Sequence, residues 1–257
     1  MKPADRYRYA GIIPARYAST RFPGKPLALI GDKPMIQRVY EQASQSLDLV
    51  YVATDDQRIF DAVVSFGGKA VMTSEAHQSG TDRCAEATGR IAGETGMEPE
   101  IVINIQGDEP FVKPSQIELL KSCFNDATVE IATLIRKVQA DEPLDNPNHP
   151  KVVVDTSGNA IYFSRSVIPF VRDALPGTWH LSHTFFKHIG LYAYSTRALR
   201  EITLLPRSPL EKAESLEQNR WIENGYRIRT AVTEWESIGI DTPEDLEKAV
   251  RFYYQIK

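Results

Sequence analysis

Short apolar runs recur through the first half of the chain, AGIIP, LVYVAT, KAVM and IVINIQ, and each is followed by a stretch with helical apolar spacing, at residues 35–46, 57–66, 81–92 and 114–124. This alternation predicts βαβα units and an α/β fold with a mostly parallel sheet flanked by helices. Ligands of such sheets gather at the carboxyl ends of the strands. The loops after AGIIP, LVYVAT and IVINIQ should therefore share one mouth, with Arg16, Asp55 and Asp108 close together. After residue 131 the pattern changes to EIATLIRKV, KVVVD, AIYFS and HIGLYAY, read as strands with a hairpin turn at residues 157–159. The second half is expected to extend the sheet or lay a smaller one over its edge. One helix is expected over residues 209–223 and another over 243–254, with short strands RIRTAV and ESIGI between them. Residues 141–150 and 169–182, rich in Pro, Asn and Asp, read as irregular flaps over a site.

The chain has 257 residues, a length that fits one domain with a subdomain. Its 30 Lys and Arg against 34 Asp and Glu give a net charge of -4, so no global field draws it to nucleic acid or an anionic membrane. Any anion must be bound locally. Cys84 and Cys123 belong to no CxxC pattern and read as two reduced thiols rather than a zinc site or a disulfide. No apolar run approaches the roughly 20 residues of a membrane span, and MKPADRYRY lacks a signal-peptide core, so the cytoplasm is the expected location.

Against this acidic background the loop at residues 15–25 collects Arg16, Arg21 and Lys25 around Ser19, Thr20 and Gly24. Backbone N–H groups, hydroxyls and three cations suit a polyphosphate, and the same composition also fits a solvated basic turn. The loop is neither GxxxxGK[ST] nor GxGxxG, which disfavours a P-loop kinase or a Rossmann dehydrogenase. In NIQGDEP, Gln106 ends a buried strand and Gly107 permits a sharp turn. Asp108 is then either a hard oxygen ligand aimed into the mouth or an ordinary acidic turn residue. Ser79 reads as a helix cap. Thr242 and Asp245 form a capping box with Pro243 at the first helical position, which leaves Asp241 at the end of a predicted strand and outside the needs of helix initiation. His188 fits a satisfied core histidine, Tyr192 and Tyr194 one face of a strand, and Glu214, Glu217, Gln218 and Trp221 a single amphipathic helix.

The segment IIPARYASTRFPGKPLALIGDKPMI, together with HQSGTDR, VINIQGDEPFV, YFSRSVIPF, HIGLYAY, SPLEKAESLEQNRW and GIDTPEDL, resembles the 3-deoxy-manno-octulosonate cytidylyltransferases over nearly the whole chain. The resemblance implies a Rossmann-like nucleotidyltransferase sheet with a smaller second-half β subdomain. It implies transfer of CMP from CTP to 3-deoxy-manno-octulosonate (Kdo) with release of pyrophosphate, a place in lipopolysaccharide synthesis, and a homodimer formed through the second-half strands. By the same resemblance the nucleotide falls to Pro14, Ala15, Arg16, Ser19, Arg21, Lys25, Gln78, Ser79, Gly80, Arg83, Gln106 and Asp108, with Gln78 and Arg83 reading the cytosine edge. Mg2+ falls to Asp108 and Asp241, which with Arg16 and Lys25 make the catalytic set. The sugar acid falls to Arg165, His188, Tyr192, Glu217 and Gln218, with Arg165 facing its carboxylate. Asp82 stands where the family usually has Glu. The implied organisation is one domain over residues 1–257, divided into a nucleotide half (about 1–130), a sugar and dimerisation half (about 131–235) and a metal-ligand segment with the last helix (about 236–257). Alternatives are a cytidylyltransferase for another acid sugar such as a sialic acid, a nucleotidyltransferase for a neutral sugar phosphate, and a non-enzymatic nucleotide binder on the same fold.

Overall fold

The computed structural model describes residues 8–236 and 238–256. These pack into two compact units: Leu119–Tyr192 with Leu204–Glu236 form one, and the remaining described residues form the other. The first unit begins with β1 (Tyr9–Ala15), a hairpin of β2 (Leu29–Ile30) and β3 (Lys33–Pro34), α1 (Met35–Ala43), β4 (Val50–Thr54) and α2 (Gln57–Ser65). It continues through β5 (Ala70–Met72), α3 (Gly80–Thr95) and β6 (Ile101–Asn104) into α4 (Pro114–Cys123). The four longer strands lie in the order β6-β1-β4-β5, and β1 runs parallel to both neighbours, with Ile13 beside Val52 and Gly11 beside Ile103. Ile12, Ile13, Val52, Val102 and Ile103 are fully buried. A strand covered by helices on both faces needs apolar residues at every position, which is why these segments read as continuous apolar runs. Parallel order also sends the loops after β1, β4, β5 and β6 to one edge of the unit.

The second unit holds β7 (Ile131–Lys137), β8 (Lys151–Val154), β9 (Ala160–Ser164) and most of β10 (Phe186–Ser195). β8 is antiparallel to β9 and to β10. The β8–β9 turn closes where expected, with Asp155 Oδ1 accepting from the N–H groups of Ser157 and Asn159 and with Gly158 at φ 80°. After β10 comes α5 (Thr196–Thr203), a helix the sequence reading missed, which packs on α3 in the first unit. The second unit then adds α6 (Pro209–Glu214), α7 (Glu217–Glu223) and β11 (Ile228–Val232), the last parallel to β7, and α8 (Pro243–Ile256) ends the first unit.

Three sequence expectations are corrected. The single helix over residues 209–223 is two helices, because Ser215 adopts a left-handed φ of 51° and the chain restarts at Glu217. ESIGI forms no strand among its described residues, and Ile240 N instead donates to Asp108 O at 3.0 Å. Residues 169–182 include a 3-10 helix, Pro176–Leu181, whose Trp179 is buried against Val138 and Phe185. Among the described residues no helix is long and apolar enough to cross a membrane.

Candidate active site

A cleft of about 300 Å³ opens in the first unit, at the carboxyl edge of its parallel strands. The end of β1 contributes Pro14 and Ala15, and the segment after it Arg16, Ser19, Thr20, Arg21, Lys25 and Pro26. The loop before α3 contributes His77, Gln78 and the cap Ser79, the first turn of α3 contributes Gly80 and Arg83, the loop after β6 contributes Gln106, Gly107 and Asp108, and Asp241 precedes α8. All the nucleotide and metal positions named from sequence therefore meet in one place. Thr20, Pro26, His77 and Gly107 join them without having been singled out as ligands.

Local chemistry sets the shape of the first loop. Tyr17 O accepts from the N–H groups of Ser19 and Gly24, both at 2.9 Å, and Gly24 takes φ 72°, a left-handed conformation natural to glycine. The guanidinium of Arg58 lies over the Tyr17 ring at 3.3 Å. A 3-10 turn, Lys25–Leu27, follows and brings Lys25 inward, its side chain 13% exposed. Its Nζ donates to Asp108 Oδ2 at 2.7 Å and to Asp241 Oδ1 at 3.3 Å, and Arg21 pairs with Asp241 Oδ2 at 3.1 Å. Two carboxylates thus converge on one ammonium, the arrangement that neutralises their mutual repulsion.

Gly107 is required for a reason other than its turn. A Cβ there would fall 2.7 Å from Pro14 O, so any side chain would push the loop after β6 away from β1. Gly80 lies close to Pro14 for a milder version of the same reason, with a Cβ placed 3.3 Å from the proline ring. The start of α3 is capped as expected, Ser79 Oγ accepting from Asp82 N at 3.1 Å. Asp55 departs from expectation: it is not among the residues lining the cleft but accepts from Arg83 Nη2 at 2.6 Å, while Thr73 Oγ1 takes Arg83 Nη1 at 2.6 Å. Its carboxylate balances the buried guanidinium and holds it in the cleft wall.

The sugar positions lie in the second unit. His188 Nε2 faces Thr133 Oγ1 at 3.0 Å, and the His188 ring meets those of Phe163 and Tyr192 at 5.1 and 5.2 Å. Burial lowers the His188 pKa to about 3, so the ring is neutral at physiological pH. Tyr192 packs edge-on against Trp221 at 5.2 Å, and burial raises its phenol pKa well above the usual value. Gln218, in the first turn of α7, is 5% exposed, and its Nε2 has no hydrogen-bond partner among the described residues. Glu217 pairs with Arg220 at 2.6 Å.

Arg165 is engaged by its own chain. Its Nε donates to Glu214 O, its Nη2 to Ser215 O and its Nη1 to Pro147 O. The Glu214 carboxylate returns the contact, accepting from Arg165 N, Ser164 Oγ and Tyr162 OH. These bonds satisfy the carbonyls exposed where α6 ends and hold the left-handed turn at Ser215.

A family profile described as cytidylyltransferase matches residues 10–238. A 3-deoxy-manno-octulosonate cytidylyltransferase of Bacteroides thetaiotaomicron is 59% identical over 248 residues, covering 95% of this chain and 98% of that protein. This chain belongs to the 3-deoxy-manno-octulosonate cytidylyltransferase family. Another member, from Parabacteroides distasonis, is 58% identical over 95% of this chain and 98% of its own length. Among solved structures, a CMP:2-keto-3-deoxy-manno-octonic acid synthetase complexed with CTP matches with a TM-score of 0.88 and 43% identity, over 97% of this chain and 100% of that one. A putative glucose-1-phosphate thymidylyltransferase of Bacillus anthracis, at TM-score 0.61 and 17% identity over 97% of this chain and 96% of its own, shares the fold of this cytidylyltransferase.

Proposed function

We infer that this chain transfers CMP from CTP to 3-deoxy-manno-octulosonate, giving the CMP-sugar and pyrophosphate. The observation that carries the reading is the meeting of Arg16, Arg21 and Lys25 with Asp108, Asp241 and the start of α3 in one cleft, in a chain whose curated relatives are named for this activity. In the reaction a hydroxyl oxygen of the sugar acid bonds to the α-phosphorus, the bond from that phosphorus to the bridging oxygen breaks, pyrophosphate leaves with the electron pair, and the hydroxyl proton passes to solvent. Such a transfer depends mainly on alignment and on neutralising charge along the triphosphate. Arg16 and Arg21, both exposed in the cleft, and Lys25 supply that charge.

Asp108 and Asp241 also fit Mg2+, which favours few carboxylates supplemented by phosphate and water oxygens. When bound, the ion would polarise the α-phosphate and lower the pKa of the attacking hydroxyl. The chain's own part is to hold the two carboxylates together, through Lys25 and through the Ile240 N to Asp108 O bond that seats Asp241 beside Asp108. In the second unit, the buried Nε2 of Gln218 is a donor available to a sugar hydroxyl, and the neutral His188 and Glu217 are suited to the same task. Arg165 takes the sugar carboxylate by exchanging carbonyl contacts for it. A homodimer, a cytoplasmic location and a role in lipopolysaccharide precursor synthesis complete the reading and rest on the family resemblance.

A coupled pyrophosphate assay with each nucleoside triphosphate, Mg2+ and a panel of acid sugars tests it. Release with CTP and the octulosonate, abolished by chelation of the metal, is the expected result. Comparable release with a sialic acid, or with no acid sugar at all, would overturn it. Light scattering of the purified chain tests the dimer.

A further inference from the structure

His77 lines the cleft, yet nothing in the proposed reaction uses it. Its ring is held in one orientation. Nε2 lies 2.5 Å from Glu86 Oε2, and the two side chains are 21% and 22% exposed. The same Glu86 oxygen accepts from Ser74 N at 2.8 Å, while Oε1 pairs with Arg90 at 2.6 Å. Burial alone would raise the Glu86 pKa, but the Ser74, His77 and Arg90 hydrogen bonds outweigh it and bring the value to about 2. An ionised carboxylate only accepts hydrogen bonds, so the ring nitrogen facing it carries the hydrogen. In a neutral imidazole the other nitrogen, Nδ1, is then an acceptor. A carboxylate that both orients a histidine and pins its loop to α3 acts as a rigid support for a ligand-facing group.

We propose that His77 is a specificity-determining residue of the nucleotide site, presenting Nδ1 as an acceptor to a hydrogen-bond donor on the nucleoside of CTP, and that Glu86 is the positioning residue that fixes its tautomer and orientation. The inference rests on the reading of the cleft as the CTP site. Donors on this nucleoside are the cytosine 4-amine and the ribose hydroxyls. UTP lacks the first, and 2′-deoxy-CTP and 3′-deoxy-CTP each lack one of the second, so the three analogues show which donor is read.

The test combines imidazole nitrogen NMR with kinetics of the full chain. At about pH 8 the His77 resonances, assigned by their loss in His77→Asn, should report the Nε2–H tautomer that the Glu86 contact imposes. Glu86→Gln should convert this to a mixture. CTP added without sugar should move the Nδ1 resonance along with the Ser79 and Gly80 amides. His77→Phe should raise the KM for CTP about tenfold, the scale of one hydrogen bond, with kcat and the KM for the sugar acid unchanged. His77→Asn, whose side-chain oxygen can replace Nδ1, should recover most of that loss, and His77→Gln should not. Movement of the Ser79 and Gly80 amides without movement at His77, or an unchanged KM for CTP in His77→Phe, would overturn the inference and leave the cleft assignment standing. Failure of CTP to move any of these signals overturns the cleft assignment itself and the inference with it. A variant that loses melting temperature and weakens both substrates equally assigns His77 to structure and overturns the inference.

Discussion

Lys25 and Asp108, 83 residues apart in sequence, meet at 2.7 Å, with the lysine side chain 13% and the aspartate 32% exposed. The same ammonium reaches Asp241 at 3.3 Å, so one cation links the first loop, the loop after β6 and the segment before α8. Lys25→Met removes the charge and keeps much of the stem. In metal-free protein it should lower stability by about 1 kcal/mol, since two neighbouring carboxylates lose their shared partner in a partly solvated place. Turnover at saturating CTP should fall about 10²- to 10³-fold, the scale of one lost preorganised charge contact. Melting curves and kcat together check this. Wild-type turnover would return the loop to the role of a solvated basic turn.

Asp241 and Asp245 separate metal binding from helix initiation. Asp245 N donates to Thr242 Oγ1 at 3.3 Å and Thr242 N to Asp245 Oδ2 at 3.2 Å, which is the capping box read from sequence. Asp245→Ala should therefore cost about 0.5–2 kcal/mol of stability and keep turnover. Asp241→Asn should shift stability by no more than about 1 kcal/mol, because the contacts that the half-exposed Asp241 makes with Arg21 and Lys25 are weakened while repulsion from Asp108 is relieved. Its turnover at saturating CTP and Mg2+ should collapse. An active Asp241→Asn enzyme would remove Asp241 from the metal site.

Gly107→Ala probes backbone approach without touching any charge. The added Cβ meets Pro14 O at 2.7 Å, and a backbone oxygen cannot move aside as a flexible side chain does. Overpacking of this kind costs about 1–3 kcal/mol. The displaced loop carries Asp108, so kcat should fall more than the melting temperature alone explains. Equal turnover in the alanine variant would show that the loop accommodates the shift.

His188 gives a pH signature. Its pKa is about 3 in the folded chain because burial disfavours the charged ring, against about 6.5 for a free histidine. Between these values the unfolded chain binds the proton and the folded one does not, so stability is fully present above about pH 6.5 and is lost progressively as pH falls towards 3. His188→Gln, which cannot titrate, should flatten this part of the stability curve measured by denaturant unfolding. It should also raise the KM for the octulosonate and leave the KM for CTP nearly unchanged. An acid limb identical to wild type would mean that the ring titrates freely in the folded protein.

The parallel strands, the Ser79 cap and the Thr242–Asp245 box were legible in the sequence because each depends on residues a few positions apart: a continuous apolar run, or a side chain returning to the nearest free N–H. The cationic loop was legible too, as composition, and family resemblance named its partners. The helix break at Ser215 was not. The periodicity of residues 209–223 continues through it, and the turn is held by Arg165, Ser164 and Tyr162, some 50 residues away. Sequence could not tell Asp55 from Asp108 either. Both follow strands at the same edge, but Arg83 comes within 2.6 Å of the first and Lys25 draws the second into the cleft. The elements and the kinds of charge were readable from the chain alone, because those are properties of neighbours along it. Which carboxylate balances a buried guanidinium, which faces a ligand, and which, like Glu86, orients a histidine was decided only by tertiary structure, because a buried charge settles on whichever partner packing brings within hydrogen-bond reach.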